Sequence, residues 1–107
     1  MAKYTAQSRH HVYLNGHAAN SPPQAGQSRF LPTEGGQAFT DEVLAAAGAP
    51  IIQANGRLRY EDPDLGRTVG YDRYGNLTRG GIVIVEGPHP APWSTFVADE
   101  VVTQYPW

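Results

Sequence analysis

The chain has no cysteine, one methionine and a single lysine, Lys3, in 107 residues. The lack of cysteine excludes disulfides, thiolate nucleophiles and Cys-type zinc sites, so stability rests on packing. With one lysine and a formal charge of −2, the chain is not built for general electrostatic capture of nucleic acid. The arginines fall mainly in residues 1–40 and 57–79, which leaves room for a local basic wall. No apolar run approaches the roughly 18 residues that a membrane helix needs. The opening MAKYTAQSRHH has no apolar centre and does not read as a signal peptide. Phosphate-binding GxxxxGK and zinc-binding HExxH are both missing, and Ser21, Ser28 and Ser94 lack the context of a nucleophile elbow. The length suits one small domain, which excludes a two-domain enzyme, a TIM barrel or a full dinucleotide-binding fold.

What is present is 40% hydrophobic residues, only 17% charged ones, and many turn formers (12 Gly, 9 Pro). That composition predicts a folded, turn-rich chain with few long helices. Residues 1–38 read as an irregular region, with loop chemistry in ANSPPQAGQ and LPTEGGQ. A helix is predicted over 39–48. Thr40 serves as N-cap, Asp41 and Glu42 lie in the first turn, Phe39 and Leu44 form a hydrophobic staple, and Gly48 and Pro50 end it. Residues 51–107 read as an antiparallel meander of four or five strands. Its turns fall at Asn55-Gly56, DPDLG and Tyr74-Gly75-Asn76, and GIVIV forms a central strand covered on both faces. The expected class is α+β, an irregular N-terminal part and a short helix packed on the meander, in one domain of 1–107.

Three of the four histidines lie in RHHVYLNGH. Histidine titrates near neutrality, so two in one cleft can serve as general base and general acid. An idle loop cluster and a metal site completed by a distant carboxylate are the other readings of His10, His11 and His17. In VVTQYPW, Thr103 and Tyr105 are two apart and share a strand face. The pair can position a phosphate or stack a base, or can simply be β-formers at a sheet edge. Ser28 and Arg29 in AGQSRF suit phosphate recognition through the planar guanidinium, or are solvated surface residues. Arg57 and Arg59 share a strand face and serve either as substrate contacts or as solvated charges.

Taken in order, these motifs resemble the bacterial EndoU-type nucleases of the barnase, EndoU, colicin and RelE-like group. RHHVYLNGH is similar to their histidine-bearing HILxGH-like opening, AGQSRF to their GKSxF step, and VVTQYPW to their closing VVTAYP. Where that step carries lysine this chain has Gln27, so an arginine or Thr103 stands in for it. The resemblance implies a metal-independent endoribonuclease toxin without a cofactor. His11, His17, Thr103 and Tyr105 are the expected catalytic residues, and His10, Ser28, Arg29, Arg57 and Arg59 the expected substrate contacts. It implies cleavage of a selected RNA, such as a tRNA, through 2′-hydroxyl attack to leave a 2′,3′-cyclic phosphate. It also implies export as the C-terminal tip of a larger secreted or cell-surface effector, contact-dependent inhibition being one example, action in the target cytoplasm, and a cognate immunity protein. The rival reading is a non-catalytic inhibitor or adaptor that binds through the Pro-rich loops, Trp93, Tyr105 and Trp107.

Overall fold

The computed structural model describes residues 1–107. In chain order its elements are α1 (Ala6–Leu14), β1 (Arg29–Phe30), α2 (Gly36–Ala47), β2 (Ile51–Ile52), β3 (Leu58–Asp62), β4 (Gly70–Tyr71), β5 (Leu77–Thr78), β6 (Gly81–Val85) and β7 (Val101–Pro106). The fold is α+β. One antiparallel sheet has the strand order β2-β3-β6-β7, and a second, smaller one has the order β1-β4-β5.

The N-terminal region is not irregular: α1 occupies its first half. Its residues show no apolar stripe, and only Ser8 and Val12 are buried, so periodicity gives no sign of a helix. A cap and tertiary bonds hold it instead. Thr5 and Ser8 form a reciprocal capping box. The Thr5 hydroxyl then donates to Glu100 Oε2 at 2.6 Å, and the Ser8 hydroxyl donates to the Val101 carbonyl. Both partners lie at the start of β7, so the cap also fastens α1 to the sheet.

The second helix begins three residues earlier than its sequence suggests. Gly35 and Gly36 both have positive φ (96° and 81°), and Gly35 is the N-cap. Thr40 is therefore inside the helix, where its hydroxyl donates to the Gly36 carbonyl. Asp41 and Glu42 fall beyond the first turn, and Phe39 packs in the core, so no staple with Leu44 forms. The cap is tertiary: Gly36 N–H donates to Oε1 of Gln104 on β7, a partner 68 residues away that local sequence cannot reveal. The helix ends where expected, at Gly48 (φ 71°) before Pro50.

The predicted single meander is divided. The turn at Asn55-Gly56 does join β2 to β3, and β6 lies between β3 and β7 with four of its five residues buried. Residues 67–73 do not form a long strand of the main sheet. Only Gly70 and Tyr71 pair, with β1 on one side and β5 on the other. Gly70 is required at this crossing, because a Cβ there would collide with the Arg29 carbonyl oxygen. The last strand starts at Val101, not Phe96, since Asp99 takes a positive φ of 68° and turns the chain first.

One face of the main sheet carries Val83, Val85 and Val101, which pack with Phe39 and Val43 of α2. Gln104 joins the same face to α2 through Gly36 and Thr40. Core side chains of this size each stabilise the fold by about 1.5–3 kcal/mol. The first helix packs along β7, the edge strand, and the opposite face of β3 and β6 carries no helix. On that face Ile82 is fully buried, while Arg59 and Tyr105 border an open pocket. No helix is long and apolar enough to cross a membrane.

Candidate active site

Strand alternation decides which residues share the face without a helix. Arg59 pairs with Ile84, and Ile84 with Thr103; in the next row Glu61 pairs with Ile82, and Ile82 with Tyr105. Opposed residues of an antiparallel ladder project to the same side. Thr103 and Tyr105 therefore stand on one face, as their spacing predicts.

His11 and His17 reach that face from two directions. His11 is on α1, and its Nδ1 lies 2.8 Å from the Val102 carbonyl oxygen. His17 follows the helix, and its Nδ1 lies 2.7 Å from the Ser28 carbonyl oxygen. A carbonyl can only accept, so each Nδ1 carries a proton and donates it, and neither Nε2 has a hydrogen-bond partner. The His17 ring stacks on Tyr105, with centroids 4.9 Å apart and planes at 24°. The His11 ring meets the edge of Phe96. Burial holds the His17 pKa below the usual histidine value; the Ser28 bond opposes this, and a charge on nearby His11 reinforces it. His17 is 7% exposed, and its burial disfavours the charged form.

Thr103 has an unusual place. Its hydroxyl is the one buried side-chain polar atom without a hydrogen-bond partner. Such an orphan costs about 1–3 kcal/mol. Beyond Tyr105 the face opens into a pocket of about 600 Å³, lined by Ser28, Arg59, Arg73, Tyr74, Tyr105 and Trp107 among others.

Of the sequence-predicted residues, His17 and Tyr105 touch directly, Thr103 shares the strand face of Tyr105, and His11 bonds the carbonyl of Val102 beside Thr103. Ser28 joins them through its carbonyl, and Arg59 through the pocket, where it is paired with Glu61 at 2.7 Å. Three do not. His10 is exposed on another side of α1, in a separate depression with Arg9 and Tyr13. Arg29 donates to the carbonyls of Ala19 and Ser21 and so holds the Pro-rich loop. Arg57 is paired with buried Glu86 and lies over the Trp93 and Phe96 rings. Tyr74 reads in the sequence only as a turn residue, and the structure adds that it lines the pocket. No three His, Asp or Glu side chains are grouped so as to hold a metal ion.

Fold and site together define a small α+β domain with two imidazoles, His11 and His17, set against the last strand of its main sheet. No protein-family model, curated protein or solved structure matches this chain.

Proposed function

We propose that this domain is a metal-independent endoribonuclease. The observation that carries the reading is the shared geometry of His11 and His17. Each ring is oriented by an Nδ1–H bond to a backbone carbonyl, neither Nε2 has a hydrogen-bond partner, and the His17 ring stacks on Tyr105. Two such groups suit a displacement that needs a proton removed and another delivered.

Neutral His17 takes the proton from a ribose 2′-hydroxyl. The oxygen attacks the adjacent phosphorus, and the bond from phosphorus to the 5′ oxygen breaks. His11, in its protonated form, delivers a proton to that departing oxygen. The products are a 2′,3′-cyclic phosphate and a free 5′-hydroxyl. The orphan Thr103 hydroxyl donates to a phosphoryl oxygen, which replaces the lysine of the resembled family. Tyr105 holds His17 in place and offers its free edge to the substrate.

In the same reading the domain is a toxin carried by a larger exported protein. It acts on RNA in the target cytoplasm and is neutralised by an immunity protein. The test is incubation of the purified domain with total RNA in EDTA from pH 5 to 8. Cleavage that is lost in His11→Ala and in His17→Ala supports the reading, and intact RNA across the range overturns it. Exposed Trp93 favours the second reading, a protein-binding module; such a module leaves RNA intact and binds a protein partner through Trp93.

A further inference from the structure

We infer that the pocket between the β4–β5 hairpin and the end of β7 is a subsite for a nucleotide that flanks the cut. This rests on the nuclease reading and adds a part of the chain that the family resemblance does not cover. The pocket is lined by Ser28 and Tyr105, the two residues that hold the His17 ring, so it adjoins that imidazole. Its volume of about 600 Å³ lies within the range of roughly 300–1,000 Å³ common for small-molecule sites.

Its lining combines guanidinium and aromatic groups. Arg73 forms no ion pair with a carboxylate, whereas Arg59 is paired with Glu61. The Arg73 guanidinium lies over the Tyr74 ring, 4.8 Å from its centroid. An unpaired guanidinium suits a phosphate, and a ring suits the flat face of a base. The Arg73 guanidinium also donates to the Tyr74 hydroxyl, and the backbone that carries these residues is fixed. Asp72 Oδ1 accepts from the N–H groups of Tyr74 and Asn76 and so fixes the hairpin tip. Trp107 is tied at both backbone groups, its N–H to the Gly80 carbonyl and its carbonyl to the Thr78 hydroxyl. Asp72 also lines the pocket, and its negative charge disfavours a phosphate at its own wall.

The test uses Trp107 as the reporter, in a Trp93→Phe background that leaves it the sole tryptophan. The probe is a DNA tetranucleotide, which lacks the 2′-hydroxyl and is not cut. The expected result is saturable quenching of Trp107 fluorescence. Arg73→Ala should weaken binding about tenfold or more, and Tyr74→Ala by a similar factor. Arg67→Ala, on the exposed clamp between Glu34 and Glu42, should leave it unchanged. Absence of quenching, or equal affinity in Arg73→Ala and its parent, overturns the inference. The two readings fail separately. Arginine-dependent quenching without RNA cleavage keeps the subsite and removes the nuclease. RNA cleavage with quenching indifferent to Arg73 removes the subsite alone.

Discussion

His17 stacks on Tyr105 with their ring centroids 4.9 Å apart. The contact joins the opening segment of the chain to its last strand. It gives Tyr105 two separable duties, ring support for His17 and a polar tip at the pocket. Tyr105→Ala should lower kcat/KM about ten- to hundredfold, as loss of one aromatic stacking platform does. Tyr105→Phe keeps the ring and should retain most of the activity. Equal losses in the two variants, measured by steady-state cleavage of a short RNA, contradict the stacking role.

Thr103→Val separates function from stability. The hydroxyl has no partner in the folded chain, so an isosteric methyl should leave stability equal or raise it by about 1 kcal/mol. RNA cleavage should fall about tenfold or more. A destabilised variant with normal activity contradicts the proposed role.

The folded chain disfavours protonated His17, mainly through burial. Below about pH 6.5 the unfolded chain therefore binds more protons at this residue than the folded one. Its contribution to stability is complete above that value and is lost as pH falls through the lowered folded pKa. Urea unfolding of the parent should lose more stability between about pH 7.5 and pH 5 than that of His17→Gln. Equal losses contradict this sign.

Gln104 is fully buried, and its amide bonds Gly36 at both backbone groups and the Thr40 hydroxyl. Gln104→Leu strands the Gly36 N–H and should cost about 2–4 kcal/mol. The melting temperature should fall by roughly 10 °C or more. A change below a few degrees, read by thermal unfolding, contradicts the tertiary cap.

Local signals in the sequence reach part of this architecture. Asn55-Gly56, Gly48-Pro50 and the apolar GIVIV each act over a few residues, and each forms the turn, helix end or central strand expected. The start of α2 depends on distant Gln104, and α1 adds to its local Thr5–Ser8 cap the distant partners Glu100 and Val101. No local pattern encodes such bonds. The site follows the same division. Thr103 and Tyr105 share a face by strand period alone, whereas only the packing of α1 on β7 separates His11 from exposed His10. Arg29 and Arg57 have the right chemistry but spend it on Ala19, Ser21 and Glu86.

The most direct measurement is the chemistry of the cut ends. Labelled RNA is incubated with the purified domain in EDTA, and the fragments are analysed for terminal groups. The account predicts 2′,3′-cyclic phosphates and 5′-hydroxyls, with no fragments from His11→Ala or His17→Ala. Uncut RNA, 5′-phosphate ends, or full cleavage by either variant contradicts it.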